Sequence, residues 1–362
     1  MRIVHIYKDY YPVLGGIENH IKIVAEAQAR AGHEVTVLAC GKSWHTQHAV
    51  LNDVRIIRAG RLGTLASMPL SLSQPLAMAR LRADLVHVHS PYPLGEVTNW
   101  LLRPGKATVI THHSDIVRQR GWLRLYAPVL RRVLGAADRI IATNPPYLET
   151  SPWLRPVRDR CAVVPLGVDV TRFTPARVSP PDPPHLLFVG RLRYYKGVDV
   201  LLKALVQLPR VRLTVVGDGP LRDAWHELAH RLGLGERVAF VGEVPDAALP
   251  DCYRAAHGFV LPATARAEAF GTVLLEAMAC GLPCVTTELG TGTSWIVQHQ
   301  VTGWVVPPND VPALATALAA LVADSERRRQ FGQAARARVE QLFSQEHMLR
   351  GIDSVYQQVL ED

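Results

Sequence analysis

Short apolar segments alternate with helical stretches along most of the 362 residues. The first segment, Arg2–Ile6, precedes an irregular loop, and the pair Gly15-Gly16 then opens a helix that runs to about Arg30. The sequence AGHEVTVLA follows, giving a helix stop at Gly32 and a second strand. Hydrophobic runs without strict alternation are typical of parallel strands that helices cover on both faces. This order predicts a βαβ unit.

The same pattern continues through the first half and restarts in the second. The further strands predicted in the first half are Asp53–Arg58, Asp84–His89, Ala107–Thr111 and Arg139–Ala142. Those predicted in the second half are His185–Val189, Arg212–Val216, Val238–Val241, Gly258–Val260, Pro283–Thr286 and a short one at Val305–Val306. A helix is predicted around Gly197–Gln207 in the second half. The chain therefore reads as an α/β protein with two doubly wound domains.

A proline-rich patch separates the two halves and predicts the domain linker. Residues 175–184 contain five prolines. The predicted domains are residues 1–170 and 171–344, and a last helix at 345–362 could cross back to the first domain. Two such domains would meet across a cleft lined by the carboxyl ends of their strands, where ligands bind in α/β folds.

Composition limits the class of protein. Apolar residues make up 48% and charged residues 20% of the chain, as in globular proteins. Five mostly scattered cysteines suit a reducing cytosol, and the pair Cys280 and Cys284 is expected to be buried thiols rather than zinc ligands. The first apolar segment is too short for a signal peptide, and no run is long enough to span a membrane. A cytoplasmic protein, soluble or peripheral on the inner face of the plasma membrane, is expected.

The positive charge belongs to the first half. Residues 1–170 hold 21 Lys and Arg against 12 Asp and Glu, whereas residues 171–362 hold 19 against 20. Between Asp115 and Asp138 no acidic residue occurs, and apolar and aromatic residues are interleaved with five arginines: Arg118, Arg120, Arg124, Arg131 and Arg132. Such a segment can anchor a helix on an anionic membrane. A basic-faced helix packed on the sheet explains it equally well, and Pro128 is expected to interrupt the helix. No nucleic-acid partner is predicted, since stacking platforms and known modules are not evident.

The stretch from Val260 to Cys284 carries two carboxylates near a predicted helix start. Glu268 lies in a loop of small residues, Phe270 and Gly271 stand at the junction, and Glu276 lies about two turns inside the helix. A helix start presents unpaired N–H groups and partial positive charge, which suit a phosphate. Carboxylates beside it suggest a sugar nucleotide. The alternative is that Glu276 is an ordinary capped-helix glutamate and Glu268 is a solvated charge on the loop.

A basic loop follows the first predicted strand of the second half. Its sequence runs from Gly190 to Gly197 and contains Arg191 and Lys196. Two fixed cations near a helix start can bind a diphosphate and stabilise the negative charge of a leaving group. The alternative is that Arg191 and Lys196 are two ordinary basic residues on a surface loop. No GxGxxG fingerprint accompanies the Gly15-Gly16 pair, so a nicotinamide or flavin cofactor loses support.

Histidines follow one strand of the first half and lie within another. His112 and His113 come after a strand end, where either could hydrogen-bond a sugar hydroxyl or orient an acceptor. His87 and His89 lie on one face of a buried strand and are expected to be structural or acceptor-side. Metal catalysis is the weaker interpretation, since the ligand spacings of established metal motifs are missing.

In combination these motifs resemble the retaining glycosyltransferases of family 4. The run from Glu268 to Glu276, EAFGTVLLE, is similar to the family's signature of two glutamates separated by seven residues. The Gly190–Gly197 loop, the pair Gly15-Gly16 and the segment VPLGVD at 164–169 fit the family in the same order. The resemblance covers essentially the whole chain. It implies the GT-B fold, two Rossmann-like domains facing a cleft, with the donor held mainly by the second.

The resemblance also implies roles for single residues. Arg191 and Lys196 match the pair that grips the donor diphosphate, and Glu268 matches the carboxylate that bonds the transferred sugar. Glu276 matches the carboxylate on the ribose, beside Phe270 and Gly271. No metal and no cofactor other than the nucleotide-sugar co-substrate is implied.

Two further roles fall in the first half. The pair Gly15-Gly16 would let the backbone approach the phosphates. His113 better matches the family's histidine beside the sugar, with His112 as the alternative.

A finer similarity points to particular donors. The stretches YKDYYPVLGGIENHI, THHSDIVRQ and TELGTGTSWIVQHQVTGWVVPP resemble bacterial enzymes of O-antigen or exopolysaccharide assembly, including mannosyl- and rhamnosyltransferases that use GDP-sugars. One departure is the run from Leu289 to Ser294, where many relatives have Gly-Gly-x-x-Glu. The alternatives are a sugar-nucleotide epimerase, a UDP-sugar-dependent transferase of the same family with a small-molecule acceptor, and a non-catalytic binding module.

Overall fold

The computed structural model describes residues 1–13, 15–65, 68–116, 120–178, 180 and 182–361, without the side chains of Arg120 and Trp122. It divides the chain into two compact units. The first comprises Met1–Val164 together with Leu349–Asp362, and the second comprises Pro165–Met348. Both are α/β units built on a largely parallel sheet, which confirms the predicted fold class.

The division lies ahead of the predicted linker. Phe173 is 4% exposed and packs edge-on against Tyr253, with 5.8 Å between ring centroids. The backbone N–H of Val168 donates to the carbonyl of Phe343 at 2.8 Å. Residues that precede the proline-rich patch are thus already part of the core of the second unit. The patch marks a loop inside that unit rather than the boundary between the two.

Among its described residues, the first unit contains ten strands, five α-helices and the greater part of the C-terminal helix, and the beginning of its chain alternates strands and helices as predicted. The strands are β1 (Arg2–Ile6), β2 (Glu34–Cys40), β3 (Gln47–Leu51), β4 (Val54–Ala59), β5 (Gly63–Leu65), β6 (Met68–Leu70), β7 (Ala83–Ser90), β8 (Gly105–His112), β9 (Arg139–Ala142) and β10 (Cys161–Val163). The helices are α1 (Gly16–Arg30), α2 (Ser73–Ala79), α3 (Pro93–Leu102), α4 (Arg120–Ala136) and α5 (Pro145–Thr150). A 3₁₀ turn covers Arg155–Arg160.

Its main sheet has the strand order β10-β9-β8-β7-β1-β2-β4-β3, parallel except for the β3–β4 pair. The central strand β1 lies between β7 and β2, with His5 in register with His87. The helix α1 buries Ile21, Val24 and Ala25, as its apolar pattern predicts. Three polar side chains of the same helix, those of His20, Glu26 and Gln28, are also buried.

Two β-hairpins were not predicted. The strand β3 pairs antiparallel with β4, and β5 pairs with β6 as a separate two-stranded sheet. Most of β3 is exposed or half-buried, so it lacks a hydrophobic run. The turn residues Asn52 and Asp53 both have positive φ, of 49° and 63°, as a tight hairpin turn requires. This Asn-Asp pair is the sequence feature from which the β3–β4 hairpin could have been predicted.

The second unit contains a fully parallel six-stranded sheet of order β13-β12-β11-β14-β15-β16. Its strands are β11 (His185–Val189), β12 (Arg212–Val216), β13 (Val238–Gly242), β14 (Gly258–Leu261), β15 (Cys284–Thr287) and β16 (Gly303–Val306). Its helices are α6 (Val198–Leu205), α7 (Arg222–Arg231), α8 (Leu249–Arg254), α9 (Thr272–Ala279), α10 (Gly292–Ile296), α11 (Val311–Ala323), α12 (Ser325–Leu342) and the start of α13 (Gln345–Glu361). Further 3₁₀ turns cover Tyr194–Lys196 and Asp246–Ala248.

Helix α4 differs from its prediction because it continues through Pro128. A proline removes one hydrogen bond to the preceding turn, and Pro128 is exposed, so water can solvate the carbonyl that is left free. No helix among the described residues is both long and apolar enough to cross a membrane. Cys280 and Cys284 are buried free thiols, as expected.

Candidate active site

Two loops of the second unit meet because they follow neighbouring strands. Strand β11 pairs with β14, so the loop after Val189 and the loop after Leu261 leave the same edge of the sheet. Gly197 makes the close approach possible: its φ is +68°, and a Cβ there would lie 2.0 Å from the Pro262 carbonyl oxygen. A side chain at this position would force the loops apart. Lys196 and Glu268 are thereby brought together.

Lys196 and Glu268 form a buried ion pair. The ammonium Nζ lies 2.6 Å from Oε2 of Glu268, and both side chains are 10% exposed. Burial is the largest single influence and lowers the pKa of Lys196, but Glu268, Tyr195 and Glu276 together outweigh it, so this pKa lies above its ordinary value. No well-angled hydrogen-bond donor reaches Oε2 among the described residues, so the contact is an ion pair with acceptor capacity to spare. The interpretation of these two residues as solvated surface charges is wrong.

Arg191 differs from Lys196 in its surroundings. Arg191 is exposed, and within the described ranges it forms no ion pair. Lys196 Nζ lies 3.4 Å from the point where Gly190 would carry a Cβ, so its amine stands beside the start of the loop. The loop thus offers one cation fixed by a carboxylate and one that is solvated and available to an anion.

Helix α9 begins at the predicted junction. Its N-cap, Gly271, has a φ of +91°, and no side chain caps the helix. The first N–H groups of α9 are therefore left for a ligand or water. Phe270 is 5% exposed and packs edge-on against Phe343, so it is a core residue that fixes the turn.

Glu276 lies on α9 and is half-buried. The hydroxyl of Tyr253 donates to its Oε2 at 2.6 Å. Burial raises the pKa of Glu276 to about 7, although the Tyr253 hydrogen bond and the charge of Arg172 oppose the shift. Sequence reasoning did not identify Tyr253 or Arg172, because neither lies within a motif.

Glu276→Gln is expected to stabilise the ligand-free protein at pH 8 and to have little effect at pH 5. Because the folded pKa of about 7 exceeds the ordinary glutamate value of 4.5, the folded state binds more protons between these values. The free energy of unfolding of the wild type therefore falls as pH rises through this window, by about 1–3 kcal/mol. Glutamine cannot ionise and removes this slope. Chemical denaturation at both pH values measures it, with the exposed Glu236→Gln as the control. Equal slopes in wild type and Glu276→Gln would contradict the assignment.

The loop that departs from the family pattern supports Glu268. The hydroxyl of Thr291 donates to the Glu268 carbonyl at 2.9 Å, and the N–H of Gly292 donates to the Ala269 carbonyl at 2.9 Å. A Cβ on Gly292 would lie 2.8 Å from Cα of Phe270. The loop therefore sets the position of the Glu268 backbone, a role that the sequence did not reveal.

In the first unit, Gly15 is the N-cap of α1 and Gly16 is its exposed first residue, without a capping side chain. His112 is buried and bonded on both nitrogens, to Ser90 at 3.2 Å and to Asp115 at 3.1 Å. His113 is also buried, but its Nδ1 has no partner among the described residues. Of these two histidines, His113 keeps a free nitrogen.

Two buried histidine triads could hold a metal ion. One consists of His5, His87 and His89, and the other of His20, His89 and His113, with ligand nitrogens within 4.8 Å of one another. Their residues come from β1, α1, β7 and the position after β8, so the sequence contains no ligand spacing that would predict them. The rings of His87 and His89 stack at 4.3 Å between centroids, as the strand alternation predicts.

Two α/β units on largely parallel sheets match the fold of GT-B glycosyltransferases, and the second unit carries a lysine–glutamate pair beside an uncapped helix start. The chain belongs to this family: residues 169–338 match the model "Glycosyl transferases group 1" and residues 14–172 match "Glycosyltransferase Family 4".

Particular relatives extend the match to the full length. The chain is 35% identical over 371 residues to O-antigen chain mannosyltransferase C of Escherichia coli, covering 100% of this chain and 99% of the relative. It is 36% identical over 354 residues to D-rhamnosyltransferase WbpZ of Pseudomonas aeruginosa, covering 95% and 92%. Among solved structures, sucrose-phosphate synthase from Thermosynechococcus elongatus superposes with a TM-score of 0.83 at 26% identity, covering 99% of both chains.

Proposed function

We propose that the protein transfers a mannose or rhamnose unit, with retention of configuration, from a GDP-sugar to a lipid-linked saccharide in surface polysaccharide assembly. The observation that carries the proposal is the buried Lys196–Glu268 pair beside the uncapped start of α9. Two full-length relatives with mannosyl- and rhamnosyltransferase names support the choice of sugar. Similarity to GDP-sugar enzymes in three stretches of the sequence supports the choice of nucleotide.

In this proposal the second unit holds the donor. Lys196 and Arg191 bind the diphosphate, together with the free N–H groups of α9, and take up the negative charge that develops on the leaving phosphate. Glu276 binds the ribose. Because these groups supply positive charge without a metal ion, we propose metal-independent transfer.

Glu268 orients the sugar through its hydroxyls and forms no covalent adduct. The bond between the anomeric carbon and the phosphate oxygen breaks, and a bond to the acceptor oxygen forms on the same face. The acceptor's proton passes to the departing phosphate. The pair Gly15-Gly16 and His113 are assigned to the phosphates and a sugar hydroxyl from the family resemblance.

Helix α4 supports a membrane-bound acceptor. It buries Leu130, Val133 and Leu134 and exposes Leu125 to 75%. The exposed arginines of the predicted basic segment are Arg124, Arg131 and Arg132, whereas Arg118 and the side chain of Arg120 lie outside the described residues. An exposed leucine between arginines fits an anionic membrane surface. Arg131 also lies 5.7 Å from the ring of Trp153, so part of this face packs on the protein.

GDP is expected to raise the thermal stability more than UDP or ADP does. A ligand present at 100 times its Kd stabilises the folded state by about 2.7 kcal/mol, so a thermal-shift screen resolves the preference. GDP-mannose and GDP-rhamnose are then supplied with lipid-linked saccharide in anionic or neutral vesicles, with and without EDTA. Expected are a product of retained anomeric configuration, faster transfer on anionic vesicles and no effect of EDTA.

Other outcomes identify the alternatives. A preference for UDP with transfer to a small molecule would indicate the UDP-sugar-dependent transferase. Conversion of the donor without acceptor would indicate an epimerase, and tight binding without any reaction would indicate a binding module. Loss of transfer with EDTA would contradict metal independence.

A further inference from the structure

Five histidines gather inside the first unit. They come from β1 (His5), α1 (His20), β7 (His87 and His89) and the residue after β8 (His113), and none is more than 6% exposed. Buried imidazoles need hydrogen-bond partners, as any buried polar group does. The proposed function uses only His113 and leaves the others without a role.

Three of these histidines form a continuous chain with a glutamine. Oε1 of Gln28 lies 2.8 Å from Nε2 of His5, and Nδ1 of His5 lies 3.1 Å from Nε2 of His89. Nδ1 of His89 in turn lies 3.1 Å from Nε2 of His113. The chain ends at Nδ1 of His113, which has no partner among the described residues. We call the four residues the imidazole chain.

The ring nitrogens of the chain face an amide oxygen and one another, and no carboxylate is among these described partners to hold a second proton, so each ring is neutral near pH 7. Burial lowers the pKa of His5 to about 4, although its bond to Gln28 opposes the shift. Burial, together with the neighbouring histidines, lowers the pKa of His89 and of His113 well below the ordinary value. A neutral imidazole carries one N–H and one lone pair, so each ring donates once and accepts once.

The glutamine therefore fixes the direction of every bond. Its Oε1 only accepts, so His5 donates from Nε2 and accepts at Nδ1. His89 must then donate from Nε2 to His5 and accept at Nδ1. His113 donates from Nε2 to His89, which leaves the lone pair on its own Nδ1.

We propose that the imidazole chain holds His113 in the tautomer whose Nδ1 is a hydrogen-bond acceptor, and that this atom accepts a hydrogen bond from a substrate hydroxyl. Gln28, His5 and His89 are positioning residues, because they act through His113. The substrate part rests on the proposed function, whereas the tautomer of His113 does not depend on it. Reversing the amide of Gln28 would reverse every bond and turn Nδ1 of His113 into a donor.

The tautomer restricts what can bind at His113. A lone pair favours a sugar or acceptor hydroxyl that donates, and it disfavours the phosphate oxygens, which only accept. A neutral ring also cannot supply a charge to the leaving group. This agrees with the proposed function, in which the second unit binds the diphosphate and His113 binds a sugar hydroxyl.

Nuclear magnetic resonance of the ligand-free protein with ¹⁵N-labelled histidine tests the chain directly. Couplings from ring protons to ring nitrogens identify the protonated nitrogen, and His113→Asn assigns the signals. In the wild type at pH 7, we expect Nε2 of His113 to be protonated and Nδ1 to be bare. In Gln28→Leu the direction is no longer fixed, so the other tautomer is expected to become populated. Gln28→Glu, whose carboxylate again only accepts, is expected to restore the wild-type tautomer.

The kinetics of sugar transfer are measured for the same three proteins: the wild type, Gln28→Leu and Gln28→Glu. Because one well-directed hydrogen bond contributes about 0.5–1.5 kcal/mol, kcat/KM of Gln28→Leu is expected to fall about 2- to 12-fold, and Gln28→Glu to recover most of it. The control is Thr111→Val, a buried change of equal volume that removes the 2.6 Å contact to Nε2 of His87, outside the chain. This variant is expected to keep the wild-type tautomer of His113.

Three results would overturn the inference: a protonated Nδ1 on His113 in the wild type, an unchanged tautomer in a folded Gln28→Leu, or a charged ring at pH 7. A fourth would replace it with a metal site, namely zinc that co-purifies and whose removal shifts the signals of His20, His89 and His113. The expected tautomer without any sugar transfer would refute the proposed function and leave the tautomer assignment intact. Sugar transfer by a protein with the opposite tautomer would refute the tautomer assignment and leave the proposed function intact.

Discussion

Glu268→Gln is expected to lower kcat for sugar transfer about 10²–10³-fold, the usual cost of losing one preorganised charge contact. The substitution keeps the size of the side chain and removes the charge that supports the transferred sugar. The nucleoside diphosphate should still bind, because Lys196 then faces the phosphates without its carboxylate partner 2.6 Å away. Steady-state kinetics and calorimetric titration with GDP measure the two effects separately.

A matched control distinguishes the site from a general effect of charge. Glu243 is exposed and lies outside both loops of the site, so Glu243→Gln should change neither kcat nor GDP binding. Turnover of Glu268→Gln within about threefold of wild type, or less than 1 kcal/mol of barrier, would contradict its role. Loss of GDP binding together with turnover would show that Glu268 organises the loop rather than the sugar.

Lys196→Met is expected to destabilise the folded protein by about 3–5 kcal/mol at pH 7, because it leaves the carboxylate of Glu268 buried without its partner. The double variant Lys196→Met with Glu268→Leu should regain much of this loss, since an apolar pair replaces the ion pair. Denaturant unfolding of the two single variants and the double variant gives the coupling free energy between the two residues.

The exposed pair formed by Lys203 and Asp199 provides the comparison. Their side chains are 50% and 37% exposed and 3.7 Å apart, so Lys203→Met should change the free energy of unfolding by less than about 1 kcal/mol. A Lys196→Met protein as stable as wild type at pH 7 would show that the pair is solvated.

Much of the fold follows from local pattern. Strands such as Arg2–Ile6 and His185–Val189 were predicted with their observed bounds, because a buried parallel strand is a continuous apolar run between turn residues. The exposed β3 carries no such run, and Pro128 stands inside a helix because it faces water. The missed strand β3 and the expected helix break at Pro128 have the same cause. In both, solvent exposure decides the local structure, and exposure cannot be inferred directly from the sequence.

The candidate site also has features that the sequence predicts and features that only the tertiary structure shows. Sequence alone identified the candidate residues of the second unit, because Lys196, Glu268 and Glu276 lie in compact motifs after strands and at a helix start. Only the tertiary structure decided that Lys196 and Glu268 touch, since the pairing of β11 with β14 brings together loops that are some seventy residues apart.

The histidines of the first unit depended on tertiary structure even more. His113 was a candidate from its position after a strand, but its free Nδ1 and the chain behind it come from separate elements. Gln28 and His20 lie on the helix α1 and belong to no motif that the sequence identified. The sequence by itself determined the family, the two α/β units and the candidate motifs of the second unit, because these depend on local spacing. Only the tertiary structure decided the partners and protonation of the buried polar groups, because both depend on contacts between residues far apart in the chain.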